Sequence, residues 1–107
     1  MKLLTKTIKE KLLRNGDVTN RGNDHKPVVK LFNPYGGATW LITEMDSADE
    51  DTLFGLCDLG IGFPELGNVS LEELQRTRHI ERDLYFTATA TLSTYTKASM
   101  QERKVIA

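Results

Sequence analysis

The stretch from Thr52 to Phe86, TLFGLCDLGIGFPELGNVSLEELQRTRHIERDLYF, decides the fold because it holds most of the elements of one small domain. Its first residues, Thr52–Leu59, are rich in apolar side chains and predict a strand. The sequence Ser-Leu-Glu-Glu beginning at Ser70 has the form of a capping box, which marks the start of a short helix. Ile80–Phe86 alternates apolar and charged residues and therefore predicts a second strand with one buried face.

A glycine-rich tract, Gly60–Gly67, lies between the first strand and the helix. Its spacing is similar to that of a phosphate-binding loop, but Glu65 stands where the third glycine of a dinucleotide fingerprint belongs. A carboxylate at that position would repel a pyrophosphate. We therefore expect the glycines to form a turn with close backbone contacts.

The N-terminal part of the chain predicts a helix and a hairpin. Leu4, Ile8 and Leu12 recur at helical spacing with lysines between them, so the first helix is amphipathic and basic. Residues that favour strands fill Val28–Phe32 and Ala38–Met45 on either side of a loop with proline and glycine, which predicts a hairpin. The second of these strands is apolar on both faces, so we expect the hairpin to lie inside the sheet or to be covered on both sides.

Two segments of the chain are expected to be mobile. Residues Asp17–Lys26 contain few apolar groups and many turn formers, which is typical of a mobile loop. Beyond Thr87, Leu92, Tyr95 and Ala98 form only a weak helical stripe, and residues 99–107 are expected to fray.

These elements predict one α+β domain over residues 1–107. Because sequential strands joined by short connections favour antiparallel pairing, we expect an antiparallel sheet of about four strands. The N-terminal helix and the helix near Ser70 should pack on that sheet. The expected core consists of apolar residues on the inner faces of these elements: Leu12, Val29, Leu31, Trp40, Ile42, Leu53, Leu74, Leu84 and Phe86.

Composition supports an ordinary folded domain, with 39% hydrophobic and 27% charged residues in 107. Cys57 is the only cysteine, so no disulfide framework or zinc-ligand spacing is present, and we expect a small buried thiol. Neither a secretory signal nor a run of membrane-spanning length is apparent, which leads us to expect a cytoplasmic protein that does not contact membrane. No cofactor is expected.

The charge distribution is the most unusual feature of the sequence. Residues 31–75 contain nine acidic residues and no lysine or arginine, whereas the flanking segments are basic. The acidic run Asp46–Asp51 does not have the form of a calcium loop, because Asp51 occupies the position that requires glycine. We therefore expect no metal site in this run.

Several segments together resemble a family of small bacterial proteins that is labelled only as a domain of unknown function and is common on plasmids, integrated elements and phages. They are Leu4–Lys6 (LTK), Trp40–Glu44 (WLITE), Gly62–Gly67 (GFPELG), Ser70–Leu74 (SLEEL) and Ile80–Phe86 (IERDLYF). The resemblance implies an accessory protein of a mobile element and supplies no catalytic residues. Since accessory proteins of that kind often counter host defence, it further implies an anti-CRISPR or anti-restriction role.

The first functional hypothesis is a non-enzymatic protein that binds a basic surface of a nuclease or nucleic-acid-binding complex. Clustered carboxylates imitate a row of phosphates and accelerate encounter with a basic partner. The residues expected to bind the partner form what we call the acidic centre: Glu44, Asp46, Asp49, Glu50 and Asp51. An ordinary solvated loop is the alternative explanation of the same residues.

Two other functional classes remain as alternatives. A small-ligand domain or enzyme would need a pocket formed by Tyr35, Trp40, Asp58, Glu65, Arg82 and Tyr85, because acid–base chemistry requires titratable groups in one cleft. Direct nucleic-acid binding would use Lys6, Lys9, Lys11 and Arg14 of the first helix together with Arg76, Arg78 and Arg82. We consider nucleic-acid binding the weaker hypothesis because the middle of the chain is acidic.

Overall fold

A five-stranded antiparallel sheet with three helices forms the fold in the computed structural model, which describes residues 2–107. The strands in chain order are β1 Val29–Phe32, β2 Thr39–Met45, β3 Thr52–Asp58, β4 Glu65–Ser70 and β5 Glu81–Arg82. The helices are α1 Lys6–Asn15, α2 Leu71–Arg76 and α3 Leu92–Glu102. Across the sheet the strands follow the order β4-β3-β2-β1-β5. The α+β class is confirmed.

The predicted hairpin forms the middle of this sheet. β1 pairs with β2 so that Leu31 lies opposite Trp40 and Val29 lies opposite Ile42. On its other side β2 pairs with β3, and the register shifts by one residue between Ile42 and Glu44, as in a β-bulge. β2 is therefore the central strand, which explains why both of its faces carry apolar residues.

The two faces of the sheet carry separate hydrophobic clusters. On the face that we call the α1 face, Leu12 of α1 and Leu74 of α2 pack with residues of β1, β2 and β3. On the opposite face, the α3 face, Leu92 of α3 packs with Leu41 and Leu56. The expected core residues that are buried all belong to the first cluster: Leu12, Val29, Leu31, Trp40, Ile42, Leu53 and Leu74.

One strand, β4, is not among the four that the sequence predicts. It occupies part of the tract that was expected to be a turn. Gly60 and Gly62 have the positive φ angles of a turn, +84° and +90°, and this half of the prediction is confirmed. Gly67, however, lies in β4, where it is the partner of Gly55 in β3. The tract reaches the extended conformation because it pairs with a long apolar strand, although it is itself poor in residues that favour strands.

The strand predicted over Ile80–Phe86 is much shorter in the structure, and the predicted burial of Leu84 is wrong. The Asp83 side chain accepts a hydrogen bond from the Tyr85 amide at 2.9 Å, and the Phe86 amide donates to the Asp83 carbonyl at 3.4 Å. This turn ends the alternation after Arg82, so Leu84 is 63% exposed. Phe86 is only half-buried and packs on the α3 face beside Tyr95.

A long-range contact joins the loop after α1 to the C-terminal helix. The Asp24 carboxylate accepts hydrogen bonds from the Ser93 amide at 2.9 Å and from the Thr91 hydroxyl at 2.8 Å, and thereby caps α3. Hydrogen bonds from the Ser93 side chain and backbone, followed by that from Thr91, hold the pKa of Asp24 below its usual range. The mobility expected for residues 17–26 stays a prediction.

The chain end packs back on the sheet. The Val105 amide donates to the Asp58 carboxylate at 3.0 Å, and the Ile106 amide donates to the Ser99 hydroxyl at 3.0 Å. Fraying of residues 99–107 stays a prediction. None of the helices within residues 2–107 has both the length and the apolar character that a membrane crossing requires.

Candidate protein-binding surface

The loop between β2 and β3, residues 46–51, is held in one conformation by its own carboxylates; we call it the acidic loop. One oxygen of Asp46 accepts the Ala48 amide at 2.8 Å. Asp49 accepts the Asp51 amide at 3.0 Å through one oxygen and the Thr52 hydroxyl at 2.9 Å through the other. Such side-chain bonds to nearby backbone groups are typical of turn-forming aspartates. The loop is therefore ordered by hydrogen bonds and still exposes charge.

Asp51 differs from its neighbours because it caps α2. Its carboxylate accepts the Ser70 hydroxyl at 2.6 Å and the Glu72 amide at 2.7 Å. The serine half of the predicted capping box is present, with the Glu73 amide 3.2 Å from the Ser70 hydroxyl, and Asp51 is the second acceptor of the cap. The hydrogen bond from Ser70, followed by that from Glu72, lowers the pKa of Asp51. Asp51 thus has a structural role in addition to its charge.

The members of the acidic centre do not share one environment. Asp49 and Glu50 are exposed, whereas Asp46 and Asp51 are half-buried. Glu44 is only 9% exposed and accepts the Gly22 amide at 3.2 Å, so it lies beneath the surface. Glu50 also forms an exposed ion pair with Lys9 of α1 at 2.8 Å. The basic helix and the acidic loop, far apart in sequence, are therefore neighbours in space.

A groove on the α1 face begins beside the acidic loop and continues along β4. Its first part, with a volume of about 410 Å³, lies between β4 and α2 and is lined by Glu73, Leu74 and Thr77. Its second part, about 440 Å³, lies against the β3–β4 turn. Both parts are bordered by Trp40, Leu59, Asn68 and Val69, which makes them one continuous groove.

The groove is apolar and open. Leu59, Ile61 and Phe63 of the β3–β4 turn are 64%, 69% and 61% exposed, an unusual concentration of large apolar side chains in solvent. Glu65 and Glu73 are the charged side chains that line it within residues 2–107, and the Arg103 guanidinium lies 5.1 Å from the centre of the Phe63 ring at its border. Exposed apolar side chains rimmed by polar residues are typical of interaction surfaces and ligand-binding grooves.

Cys57 and Gly67 form part of the groove floor. Burial raises the pKa of the Cys57 thiol to about 11, so the thiol stays protonated and unreactive near neutral pH. The expected buried thiol is half-buried, since it borders the groove. At Gly67 an added Cβ would meet no atom of residues 2–107 within 4 Å other than those of Gly67 and its two chain neighbours. The absence of a side chain at Gly67 therefore leaves this stretch of the groove unfilled.

The six residues predicted to form a pocket do not converge. Trp40 and Glu65 line the groove, but Asp58 lies on the opposite face, where it accepts the Gly60 amide at 2.7 Å. Tyr35 and Tyr85 are exposed in separate turns. The Arg82 guanidinium donates to the Lys2 and Leu3 carbonyls at 2.9 Å. Among residues 2–107, no three histidine, cysteine or carboxylate side chains gather as a metal site would require.

Some of the basic residues predicted to contact nucleic acid border a second depression of about 820 Å³. Lys6, Lys9 and Arg82 line it together with Lys2, between the N-terminal segment and α2. Lys11 and Arg14 lie on α1 away from its lining, and Arg78 is exposed after α2. Arg76 is 3.9 Å from Glu72 on the same helix. The structure therefore groups part of the predicted basic set and separates the rest.

Comparison with known proteins gave one match. The model of a family described as "Protein of unknown function (DUF2958)" matches residues 3–106. No curated protein and no solved structure matched the chain.

Proposed function

We propose a function for this chain from the premise that it belongs to the family of proteins of unknown function DUF2958, whose model covers residues 3–106. The proposal is that the protein is a non-enzymatic accessory protein. It binds a larger protein by placing the acidic loop on a basic surface of that partner. The partner class is a nuclease or a nucleic-acid-binding complex, because such proteins carry basic surfaces that accept rows of phosphates.

The observation that supports this proposal most is the order of the acidic loop. The hydrogen bonds of Asp46, Asp49 and Asp51 hold the loop in one conformation while Asp49 and Glu50 remain exposed. A preorganised surface loses little conformational entropy on binding. Glu72 and Glu73 lie in the first turn of α2, the helix that Asp51 caps, and their carboxylates extend the negative surface. Together these groups are suited to steer a basic partner toward this end of the molecule.

The role in a mobile genetic element and the inhibition of host defence are parts of the same proposal. A protein that imitates a phosphate row competes with nucleic acid for the same basic channel. Binding of this protein and binding of DNA to the partner should therefore exclude each other. This exclusion separates a nucleic-acid mimic from a protein that binds elsewhere on the same complex.

The test uses Asp49→Asn/Glu50→Gln, which removes two exposed carboxylate charges, breaks the Lys9–Glu50 ion pair and leaves the Asp51 cap intact. Glu81→Gln/Glu102→Gln is the matched control, with the same charge change at exposed positions outside the acidic loop. Each protein is immobilised to capture partners from the source cell. Association of the purified partner is then measured at about 25 mM and about 300 mM salt, with and without a short DNA duplex.

We expect the loop variant to associate about tenfold more slowly than wild type at low salt and at a similar rate at high salt, because screening removes the steering. The control variant should behave as wild type. Equal rates for wild type and the loop variant at low salt would reject the acidic loop as the binding surface. Simultaneous binding of DNA and this protein to the partner would reject the mimicry.

Direct nucleic-acid binding is a second candidate because Lys2, Lys6, Lys9 and Arg82 line one depression. If this function holds, Lys2→Gln/Lys6→Gln should abolish retention of a DNA duplex at low salt. Absence of DNA retention by the wild-type protein at low salt would reject this candidate.

A further inference from the structure

We propose that the groove beside β4 binds an extended segment of the partner, which adds to β4 as a further strand and carries apolar side chains flanked by lysine or arginine. This inference rests on the proposed function, because it names the chemistry of the partner segment that the same end of the molecule accepts. It assigns the main contact area to the edge of the sheet, whereas the acidic loop controls the rate of encounter.

The first argument is the position of β4 at the edge of the sheet. β4 pairs with β3 along all six of its residues, from Glu65 to Ser70. Within residues 2–107 no strand lies on its outer side. Every second residue of such an edge presents an N–H and a C=O group that an added strand can bind. Six residues span about 20 Å, which is enough for a stable strand pairing of ordinary length.

The second argument is the gap at Gly67. Side chains at alternate positions of an added strand would project to the α1 face beside Glu65, Gly67 and Val69. A side chain of the added strand opposite Gly67 would not contact a β4 side chain, because Gly67 has none. The space that a Cβ of residue 67 would occupy is free, with no other atom within 4 Å beyond the chain neighbours. A large apolar side chain can therefore lean over Gly67 into the groove that Trp40 also lines, in the way that aromatic residues cover glycines in a neighbouring strand.

The third argument is the apolar wall at the far end of the groove. Leu59, Ile61 and Phe63 are exposed on the β3–β4 turn and border the part of the groove that contains Gly67. Apolar groups on a partner strand would remove them from water, which favours association. The wall thus explains why the partner segment must itself be apolar.

The sign of the partner's charge follows from the groove lining. Glu65 stands at the start of β4 and Glu73 at the α2 end, so the groove has a carboxylate near each end, and the one cation at its border, within residues 2–107, is Arg103 over the Phe63 ring. The acidic loop adds negative charge near this end through Asp49, while Glu50 is paired with Lys9 of α1. A segment with lysine or arginine around its apolar residues would satisfy these carboxylates, whereas an acidic segment would be repelled.

The probe is the blocked synthetic peptide Lys-Thr-Val-Thr-Phe-Thr-Val-Thr-Lys, whose apolar and lysine side chains share one strand face, compared with Glu-Thr-Val-Thr-Phe-Thr-Val-Thr-Glu. Trp40 is the only tryptophan of the chain and lines the groove, so its fluorescence reports occupancy directly. Gly67→Val fills the gap with a residue that favours strands, and Ile61→Ser removes part of the apolar wall without touching the core. Thr94→Val, on the exposed side of α3, is the matched control.

We expect the lysine peptide to change Trp40 emission in a saturable manner. Its affinity should fall about tenfold or more in Gly67→Val and in Ile61→Ser, and should be unchanged in Thr94→Val. The glutamate peptide should bind at least about tenfold more weakly than the lysine peptide. Equal affinity of wild type and both groove variants would overturn the inference, as would equal binding of the two peptides.

Failure of this inference is distinguishable from failure of the proposed function. If Asp49→Asn/Glu50→Gln slows partner association but Gly67→Val does not weaken it, the acidic loop binds the partner and the groove does not. If neither peptide binds and sedimentation shows a dimer that Gly67→Val dissociates, the groove is occupied by a second copy of this chain, and a partner strand is rejected.

Discussion

Gly55 and Gly67 are partners on neighbouring strands, yet their surroundings are opposite. A Cβ atom at Gly55 would lie 2.0 Å from the Leu41 carbonyl oxygen, next to the β-bulge between β2 and β3. The same atom at Gly67 would meet nothing within 4 Å in residues 2–107 beyond its chain neighbours. The backbones of β2 and β3 thus lie too close together to admit a side chain at Gly55, whereas β4 has free space at Gly67. This contrast indicates that β2 and β3 supply stability and that β4 has space beside its backbone at the edge of the sheet.

The largest change in stability is expected at Gly55, and it contrasts with the change expected when alanine replaces Gly67. Gly55→Ala should lower the free energy of unfolding by more than about 4 kcal/mol, because backbone atoms of β2 cannot move aside without breaking the ladder. Gly67→Ala should be neutral or stabilise by about 0.5–1 kcal/mol, since alanine restricts the unfolded chain and meets no obstacle. Urea unfolding at pH 7 measures both values. Similar losses in the two variants would show that β4 is packed like the interior.

A smaller effect is expected at Leu53, which is fully buried on the α1 face. Leu53→Ala should cost about 2–5 kcal/mol because it removes apolar contacts and leaves a cavity. The midpoint of urea unfolding should fall while the dependence on urea stays constant. A cost below about 1 kcal/mol would place Leu53 outside the core.

The acidic loop offers a test of intermediate size at Asp51. Asp51→Asn should destabilise the protein less than Leu53→Ala does, because it weakens the cap of α2 without opening a cavity. The pKa of Asp51 is lowered by folding, so its carboxylate stabilises the native state above an unfolded pKa of about 3.9. That stabilisation should disappear as the pH falls through the lowered native pKa.

Thermal unfolding of wild type and Asp51→Asn from pH 7 down to pH 2 checks this sign. The two melting temperatures should differ at pH 7 and approach each other below about pH 4. Asp49→Asn is the companion variant, because the Asp49 carboxylate accepts hydrogen bonds from Asp51 and Thr52 but not from α2. A difference that grows toward low pH would contradict the capping role of ionised Asp51.

The smallest effect is expected at Leu84, which undergoes the same chemical change as Leu53. Leu84→Ala should cost less than about 0.5 kcal/mol because its side chain is exposed in the turn after β5. Because Leu84→Ala and Leu53→Ala remove the same atoms, the difference between their costs in unfolding free energy reports the effect of burial. A loss of 2 kcal/mol or more, as roughly expected of a core leucine, would mean that Ile80–Phe86 forms the long strand that its alternation predicts.

The elements that the sequence predicts well are those whose own periodicity reflects their packing. α1, β1, β2 and β3 have apolar patterns that match the faces they bury. β4 lacks such a pattern, because an edge strand open to solvent is held by its pairing with β3. Ile80–Phe86 has the pattern of a strand, but the Asp83 side chain captures the Tyr85 amide and forms a turn.

The candidate surface was only partly predictable, because several of its features depend on contacts that local sequence patterns do not reveal. The acidic loop is visible as a run of charges, but the capping role of Asp51 depends on Ser70, 19 residues away. The capping role of Asp24 depends on Ser93, 69 residues away. Within residues 2–107 the groove is lined by residues 52–77 together with Trp40 of β2, and its exposed apolar residues resemble core residues in the sequence. The concentration of Leu59, Ile61 and Phe63 around glycines was the available signal.

Amide hydrogen exchange of β4, followed residue by residue with and without the lysine peptide, tests the central claim that the open edge of the sheet is the binding surface. We predict that outward-facing amides of Glu65–Ser70 exchange faster than those of β2 in the free protein and become protected at alternate positions when the peptide is added. The amides of β5 should not change. Protection confined to β5 or α1, or unchanged exchange in β4 at saturating peptide, would contradict the account.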